Sequence, residues 1–283
     1  MLMEIRGTRL YVEQRGAEDA PPLLFIHGGP GAGSYDFLAF QGDRLSRSFR
    51  LTTVDQRGVQ QSDPLIGPVS EQDLIADFEA LRETLDIQQW AILGHSYGGR
   101  LALRYAAAHP DAVTKVVFEN PGWDMVLASD ALLKAALPLL PGVEARPHTG
   151  PATKAMWDER IALLAQLGDR RMEIYTGPDF RDLQLPADTA ISDEYHARSG
   201  HFHEQITSSA SFGEQVLQYF AQLSQPALLI KGEYDPATSA QEIELFRSDV
   251  PNGTYYYASG AGHFLHAEQP ELYAQLVTDF LLS

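Results

Sequence analysis

Trp90-Ala91-Ile92-Leu93-Gly94-His95-Ser96-Tyr97-Gly98-Gly99-Arg100 runs from an apolar strand through a tight turn into the start of a helix. A serine that attacks a substrate must stand clear of the backbone. Gly94 and Gly98, placed symmetrically about Ser96, allow the sharp strand-to-helix turn that lifts a hydroxyl above a sheet edge, the arrangement called a nucleophile elbow. Leu101, Ala102, Leu103, Tyr105 and Ala106 to Ala108 form helix readily, so Ser96 is expected at a helix N-terminus, among unpaired amides and a partial positive charge. A chain with 23 glycines produces Gly-x-Ser-x-Gly by chance, but the strand before it and the helix after it are the context the motif requires.

Working outward, the same rhythm repeats. Leu23 to Ile26 is a continuous apolar run of the kind covered on both faces; it ends in His27-Gly28-Gly29-Pro30-Gly31, and Asp36 to Leu45 suits a helix. Leu51 to Val54 reads as a strand closing on Asp55-Gln56-Arg57-Gly58. Ser70 with Asp73 caps a helix whose Leu74, Phe78, Leu81 and Leu85 share a face. Val113 to Phe118 is the next strand, and Met3 to Ile5 with Leu10 to Val12 form an edge hairpin around Gly7. Strand, loop, helix, strand in repetition predicts an α/β fold with a mostly parallel sheet flanked by helices. Chemistry in such sheets gathers beyond the carboxyl ends of the strands, where the loops at His27, Asp55 and Ser96 lie.

Between Pro121 and Gln225 the pattern turns helical, with Ser129 to Leu140 and Ala152 to Leu167 the clearest helices and aromatics that either line a pocket or pack helices together. After Pro226 the rhythm returns: Ala227 to Ile230 a strand, Ala240 to Phe246 a helix, Thr254 to Ala258 a strand, then a final helix from Pro270. The expected organisation is a core from residues 1–120 and 226–283 with an inserted helical cap at residues 121–225.

A serine hydroxyl is too weakly acidic to attack a carbonyl unaided; it needs a general base and a group that orients the base. The order expected on this fold is serine, acid, histidine. Asp235 follows the strand Ala227 to Ile230, and His263 follows the strand Thr254 to Ala258, so both fall at the sheet edge that carries Ser96. Glu119 and Glu233 are alternative acids and His266 an alternative base; loop position favours Asp235 and His263. His27 and His95 read as loop supports. His196, His201 and His203 cluster in the cap without the spaced partner ligands of a zinc site, so neither metal nor cofactor is expected. An oxyanion formed at the serine requires preorganised donors. The amides of Tyr97 and Gly29 are the candidates.

The balance of charges, −17 at neutral pH, argues against nucleic acid and anionic membrane as partners, since both would be repelled. Without cysteine there is no disulfide, thiolate catalysis or cysteine-ligated metal. The residues from Met1 to Val12 lack a basic stretch followed by an apolar core, and no apolar window is long enough to span a bilayer, so a cytoplasmic protein is expected.

The chain resembles the α/β-hydrolase family over nearly its whole length, and His27-Gly28-Gly29-Pro30-Gly31 with Asp55-Gln56-Arg57-Gly58 resembles the prolyl iminopeptidase group within it. That resemblance implies a serine peptidase releasing an N-terminal residue, preferably proline, from short peptides under a helical cap, with Ser96, Asp235 and His263 as the triad. The chain departs from the group where Gln60 replaces a glycine, where Pro236 replaces the acidic residue some members carry after the catalytic acid, and in the cap, where Asp193-Glu194-Tyr195-His196 only loosely matches the group's run. A protonated amine held out of water needs a carboxylate. Asp36, Glu194 and Glu204 are the candidates for substrate binding. Two other readings stand beside this one: the same machinery acting on a small ester or lactone, which the Gln60 and Pro236 departures favour, and a ligand receptor on the same fold.

Overall fold

The computed structural model describes residues 1–144 and 147–283. In chain order the elements are β1 (Leu2–Ile5), β2 (Thr8–Arg15), β3 (Pro22–Ile26), α1 (Tyr35–Leu45), β4 (Arg50–Val54), α2 (Glu71–Thr84), β5 (Trp90–His95), α3 (Tyr97–Ala108), β6 (Val113–Glu119), α4 (Met125–Ala136), α5 (Lys154–Ala165), α6 (Met172–Tyr175), α7 (Ala187–Ala190), α8 (Asp193–Ser208), β7 (Ala227–Gly232), α9 (Ala240–Asp249), β8 (Gly253–Ala258), α10 (Leu265–Glu268) and α11 (Pro270–Leu282).

The strands form one eight-stranded sheet in the order β1-β2-β4-β3-β5-β6-β7-β8. β1 and β2 pair antiparallel, as does β2 with β4; every later pairing is parallel. The unbroken apolar runs of the central strands have a simple cause. Side chains alternate between faces along a strand, and both faces are covered. Leu24, Ile26, Ile92, Val116 and Leu229 join one core, while Leu23, Phe25, Leu93, Val117, Leu228 and Ile230 join the other.

Between β6 and β7 the described residues contain helices and no strand. The helix expected over Ser129 to Leu140 begins earlier, at Met125, because Asp124 accepts hydrogen bonds from the amides of Val126 and Leu127; its α-helical part ends at Ala136, ahead of Pro138. The 16-residue α8 has no strong apolar stripe in the sequence, and it buries only Phe202, Ile206 and Thr207. Among the described residues, no helix is long and apolar enough to cross a membrane.

One buried ionic cluster binds the helical segment to the elbow helix. Arg100, without solvent exposure, donates from Nε to Glu71 Oε1 (2.8 Å) and from its other nitrogens to the carbonyl oxygens of Trp123, Ser211 and Glu214. Tyr97 donates its hydroxyl to the same Glu71 oxygen (2.9 Å), and Arg104 bridges Glu71 to Glu214. Removing Arg100 takes from the buried Glu71 one of its two arginines and leaves the carbonyl oxygens of Trp123, Ser211 and Glu214 without that donor, and breaking such a buried network costs about 3–5 kcal/mol. Arg100→Met is therefore expected to lower the urea-unfolding free energy by that amount; a loss below about 1 kcal/mol, the range of an exposed pair, would contradict the clamp.

Candidate active site

Ser96 is the single residue between β5 and α3, with φ 55° and ψ −124°. L-residues enter positive φ only under strain, and such strain persists where the surroundings enforce it. A Cβ on Gly98 would lie 2.1 Å from the Ile26 carbonyl oxygen, and one on Gly94 would lie 2.5 Å from the Gly98 carbonyl oxygen. The turn closes only with glycine at both places. Ser96 N–H donates to the Glu119 carbonyl (3.0 Å), and the amides of Gly99 and Gly122 donate to the Ser96 carbonyl (2.9 and 3.2 Å). The serine itself is half-buried at a cavity of about 670 Å³.

Over it passes the loop after β3. A Cβ on Gly28 would be 2.8 Å from Ser96 Cβ and 3.4 Å from its Oγ. Gly29 and Tyr97 both line the cavity, and Tyr97, first residue of α3, has no amide partner within its own helix. The motif residues behind this loop hold it in place. Gln56 N–H donates to His27 Nε2 (3.1 Å), so the proton of the imidazole is on Nδ1, which donates to the Gly28 carbonyl (3.0 Å). Burial lowers His27 to a pKa of about 4, so it stays neutral. Asp55 accepts from the amides of Ser34 and Gln61 (2.9 and 3.3 Å), and its burial outweighs those bonds and raises it to about 6.

Asp235 and His263 meet. Asp235 Oδ1 and His263 Nδ1 are 2.6 Å apart, both residues are buried, and His263 lines the cavity with Ser96. The Ala237 and Thr238 amides donate to the same carboxylate (3.0 Å each). Burial alone would push the Asp235 carboxyl up; the hydrogen bond and charge of His263, with the charge of Lys231, outweigh it and hold the group well below the usual carboxylate range.

Three residues that sequence reasoning passed over fix these loops. Asn120, buried and at φ 42°, accepts from the Gly232 amide (2.7 Å) and donates to the carbonyls of Gly262 and His263 (2.9 Å each), which ties the end of β7 to the histidine loop. Asparagine suits the position because it carries a donor and an acceptor on a short side chain and tolerates left-handed backbone. Glu268 accepts from the amides of Gly177, Gly262 and Phe264 (2.7, 2.8 and 3.0 Å), gripping the chain on both sides of His263. Lys231 contacts Asp235 directly, 3.3 Å from Oδ2. The Asn120-Pro121 dipeptide carried no sequence signal of its own, because each partner is distant in the chain.

The alternatives are otherwise engaged. Glu119 pairs with His266 (2.9 Å from Nδ1), and Glu233 accepts from Ser259 and Gly260 at the surface. His95 donates from Nε2 to the His263 carbonyl (3.0 Å), and burial lowers it to about 3. Among the described residues, His95, Glu119 and His266 are the group whose ligand atoms, within 4.8 Å of one another, could hold a metal ion. Glu119 already bonds to His266 and His95 to the His263 carbonyl, so the set reads as a support beneath His263, whose ring is 4.7 Å from that of His95.

Of the three acids expected to bind substrate, only Asp36 lines the cavity. It accepts from the Ala187 amide (2.7 Å), and burial raises its carboxyl above the ordinary range. Glu194 and Glu204 do not reach the cavity: Glu194 pairs with Arg198 (3.0 Å) and Glu204 with Lys154 (3.0 Å), both exposed to solvent. Helix α8 turns a different face inward, with His196 and His203 lining the cavity and Ser199 accepting from the Gln60 amide. Gln60 itself, at φ 39°, is buried, lines the cavity and packs against Gly33. Of the aromatics between residues 121 and 225, Trp157 and Tyr175 line the cavity, whereas Trp123, Phe202, Phe212 and Phe220 pack into the core.

A model of the alpha/beta hydrolase fold matches residues 21–270. The chain belongs to the α/β-hydrolase family. A proline iminopeptidase of Xylella fastidiosa is 40% identical over 114 residues, covering 40% of this chain and 36% of that protein. The first relatives of this kind are thus matched over only about a third of their length. A proline iminopeptidase of Heyndrickxia coagulans is 24% identical over 269 residues, 93% of this chain and 91% of that one. Among solved structures, a proline iminopeptidase-related protein of Thermus thermophilus superposes with a TM-score of 0.79 at 22% identity, covering 100% of this chain and 96% of the other.

The neutral His27 has a measurable consequence. Its folded-state proton affinity is lower than that of a histidine in the unfolded chain, so unfolding takes up a proton once the pH falls below about 6.5. The stability it contributes is complete above that pH and is lost as the pH falls toward about 4, about 2 kcal/mol of it between pH 6.5 and 5. His27→Gln keeps a donor and an acceptor without a titrating ring. Over that interval its urea-unfolding free energy should fall less than the wild type's by that amount, and parallel profiles would contradict the assignment.

Proposed function

We propose that this α/β hydrolase is a serine hydrolase in which Ser96 attacks a carbonyl, His263 serves as general base and Asp235 orients it. The observation that carries this reading is the 2.6 Å contact between Asp235 Oδ1 and His263 Nδ1, made where His263 shares a cavity with the strained Ser96. With Nδ1–H given to Asp235, the other nitrogen, Nε2, is left to take the Ser96 proton. The amides of Gly29 and Tyr97 receive the developing oxyanion, the protonated imidazole passes its proton to the leaving group, and water then releases the acyl group.

For substrate, we infer an N-terminal prolyl or similar residue in a short peptide or amide. The names of the relatives support it, as does the cavity, which is walled by Met125, Leu132, Trp157 and Tyr175 of the helical segment, acting as a cap, and bears Asp36 as a counter-charge for an amine. A specific observation favours a second reading, a small ester or lactone: Pro236 follows the acid, and Glu194 and Glu204 face away from the cavity.

The test compares kcat/KM for a prolyl arylamide with that for a short-chain aryl ester. Amide cleavage that requires a free amino group, and falls by about 10⁴-fold or more in Ser96→Ala, is the expected outcome. Asp36→Asn should then raise KM for the amide about tenfold or more, the loss of one charged hydrogen bond, and leave the neutral ester unaffected. Ester turnover without amide turnover would overturn the peptidase reading; full activity in Ser96→Ala would overturn the serine mechanism.

A further inference from the structure

Lys231 lies on β7, only 7% exposed. Its ammonium donates to the carbonyl oxygens of Gly232 (2.6 Å) and Asp235 (2.8 Å), and it stands 3.3 Å from Asp235 Oδ2. Taking an ammonium out of water costs several kcal/mol. A neutral donor would serve two carbonyl oxygens equally well, so the charge answers to the carboxylate. Asp235 is thus divided between two partners, with His263 on Oδ1 and Lys231 on Oδ2.

We propose that Lys231 is a positioning residue for Ser96, His263 and Asp235: its ammonium aligns the Asp235 carboxylate and limits how strongly that carboxylate holds a proton on His263. The proposal rests on the serine-hydrolase reading above. Other groups face His263 as well. His95 comes from β5, with Glu119 of β6 and His266 of α10 behind it; Tyr175 comes from α6, its ring 5.4 Å away; Glu268 comes from α10. Lys231 is distinguished by its direct contact with the orienting carboxylate. When that charge is removed, the carboxylate stays ionised, because His263 and the amides of Ala237 and Thr238 still bond to it. Its undivided charge then favours the imidazolium, and the base stays occupied by a proton up to a higher pH.

The experiment needs no knowledge of the natural substrate. The full chain is treated with a fluorophosphonate, and the rate of covalent labelling is followed by intact mass across the acid range. Labelling requires His263 free of its proton, so the acid limb of the profile reports the base. In Lys231→Met and Lys231→Gln the limb should move to higher pH by about 1 unit. The Gln variant retains a donor for the two carbonyls, so it reads the charge even where the Met variant is unstable. A purely structural lysine would lower the melting temperature and leave the limb in place; an unmoved limb in a folded neutral variant overturns the proposal. Ser96→Ala separates the two levels. If it labels as fast as the wild type, or if the wild type does not label, the serine reading itself fails; if it stays unlabelled while the limb is unmoved, only the role of Lys231 fails.

Discussion

A serine held at φ 55° between two glycines that no side chain could replace is the constraint on which the rest of this structure depends. The strain persists because everything around it is packed to enforce it. β5 lies between β3 and β6 in the sheet, so the turn after it is pressed by the Ile26 carbonyl on one side and bonded to Glu119 on the other. Arg100, one turn into α3, anchors the elbow helix to α2 and to the helical segment through Glu71, Trp123 and Ser211. A parallel sheet brings the loops after β3, β5, β7 and β8 to one edge, and there the serine, the glycine loop, the acid and the histidine converge.

The electrostatics around that edge divide cleanly into charge and support. Asp235 is kept ionised by bonds from a histidine, a lysine and two amides. His27 and His95 are kept neutral by burial and act as fixed-direction props, one for the glycine loop and one for the carbonyl of His263. A neutral prop adds no net charge to the site.

How much was legible in the sequence follows from how local each feature is. The elbow, the capped α2 and the alternation of strand and helix are written in consecutive residues, and the sites of Ser96, Asp235 and His263 could be located because strand order sends their loops to one edge. Asn120 and the Glu71–Arg100 pair were invisible because each bonds to residues far along the chain; Lys231 and Glu268 bond partly to near neighbours, but a buried lysine or glutamate looks no different in sequence from an exposed one. Glu194 and Glu204 misled for a related reason. Helix α8 has little apolar stripe to reveal its inner face, and the face that turns inward carries His196, Ser199 and His203 instead. Gln60 is the converse case: a departure from the family pattern proved to be a buried side chain at positive φ, packed against Gly33 in the cavity wall.

The most direct test of the account is a crystal structure of the protein after reaction with diisopropyl fluorophosphate. The account predicts phosphorus bonded to Ser96 Oγ, with the phosphoryl oxygen at hydrogen-bond distance from the amides of Gly29 and Tyr97 and His263 still paired with Asp235. Phosphorus on any other residue, or a phosphoryl oxygen turned away from both amides, would contradict it.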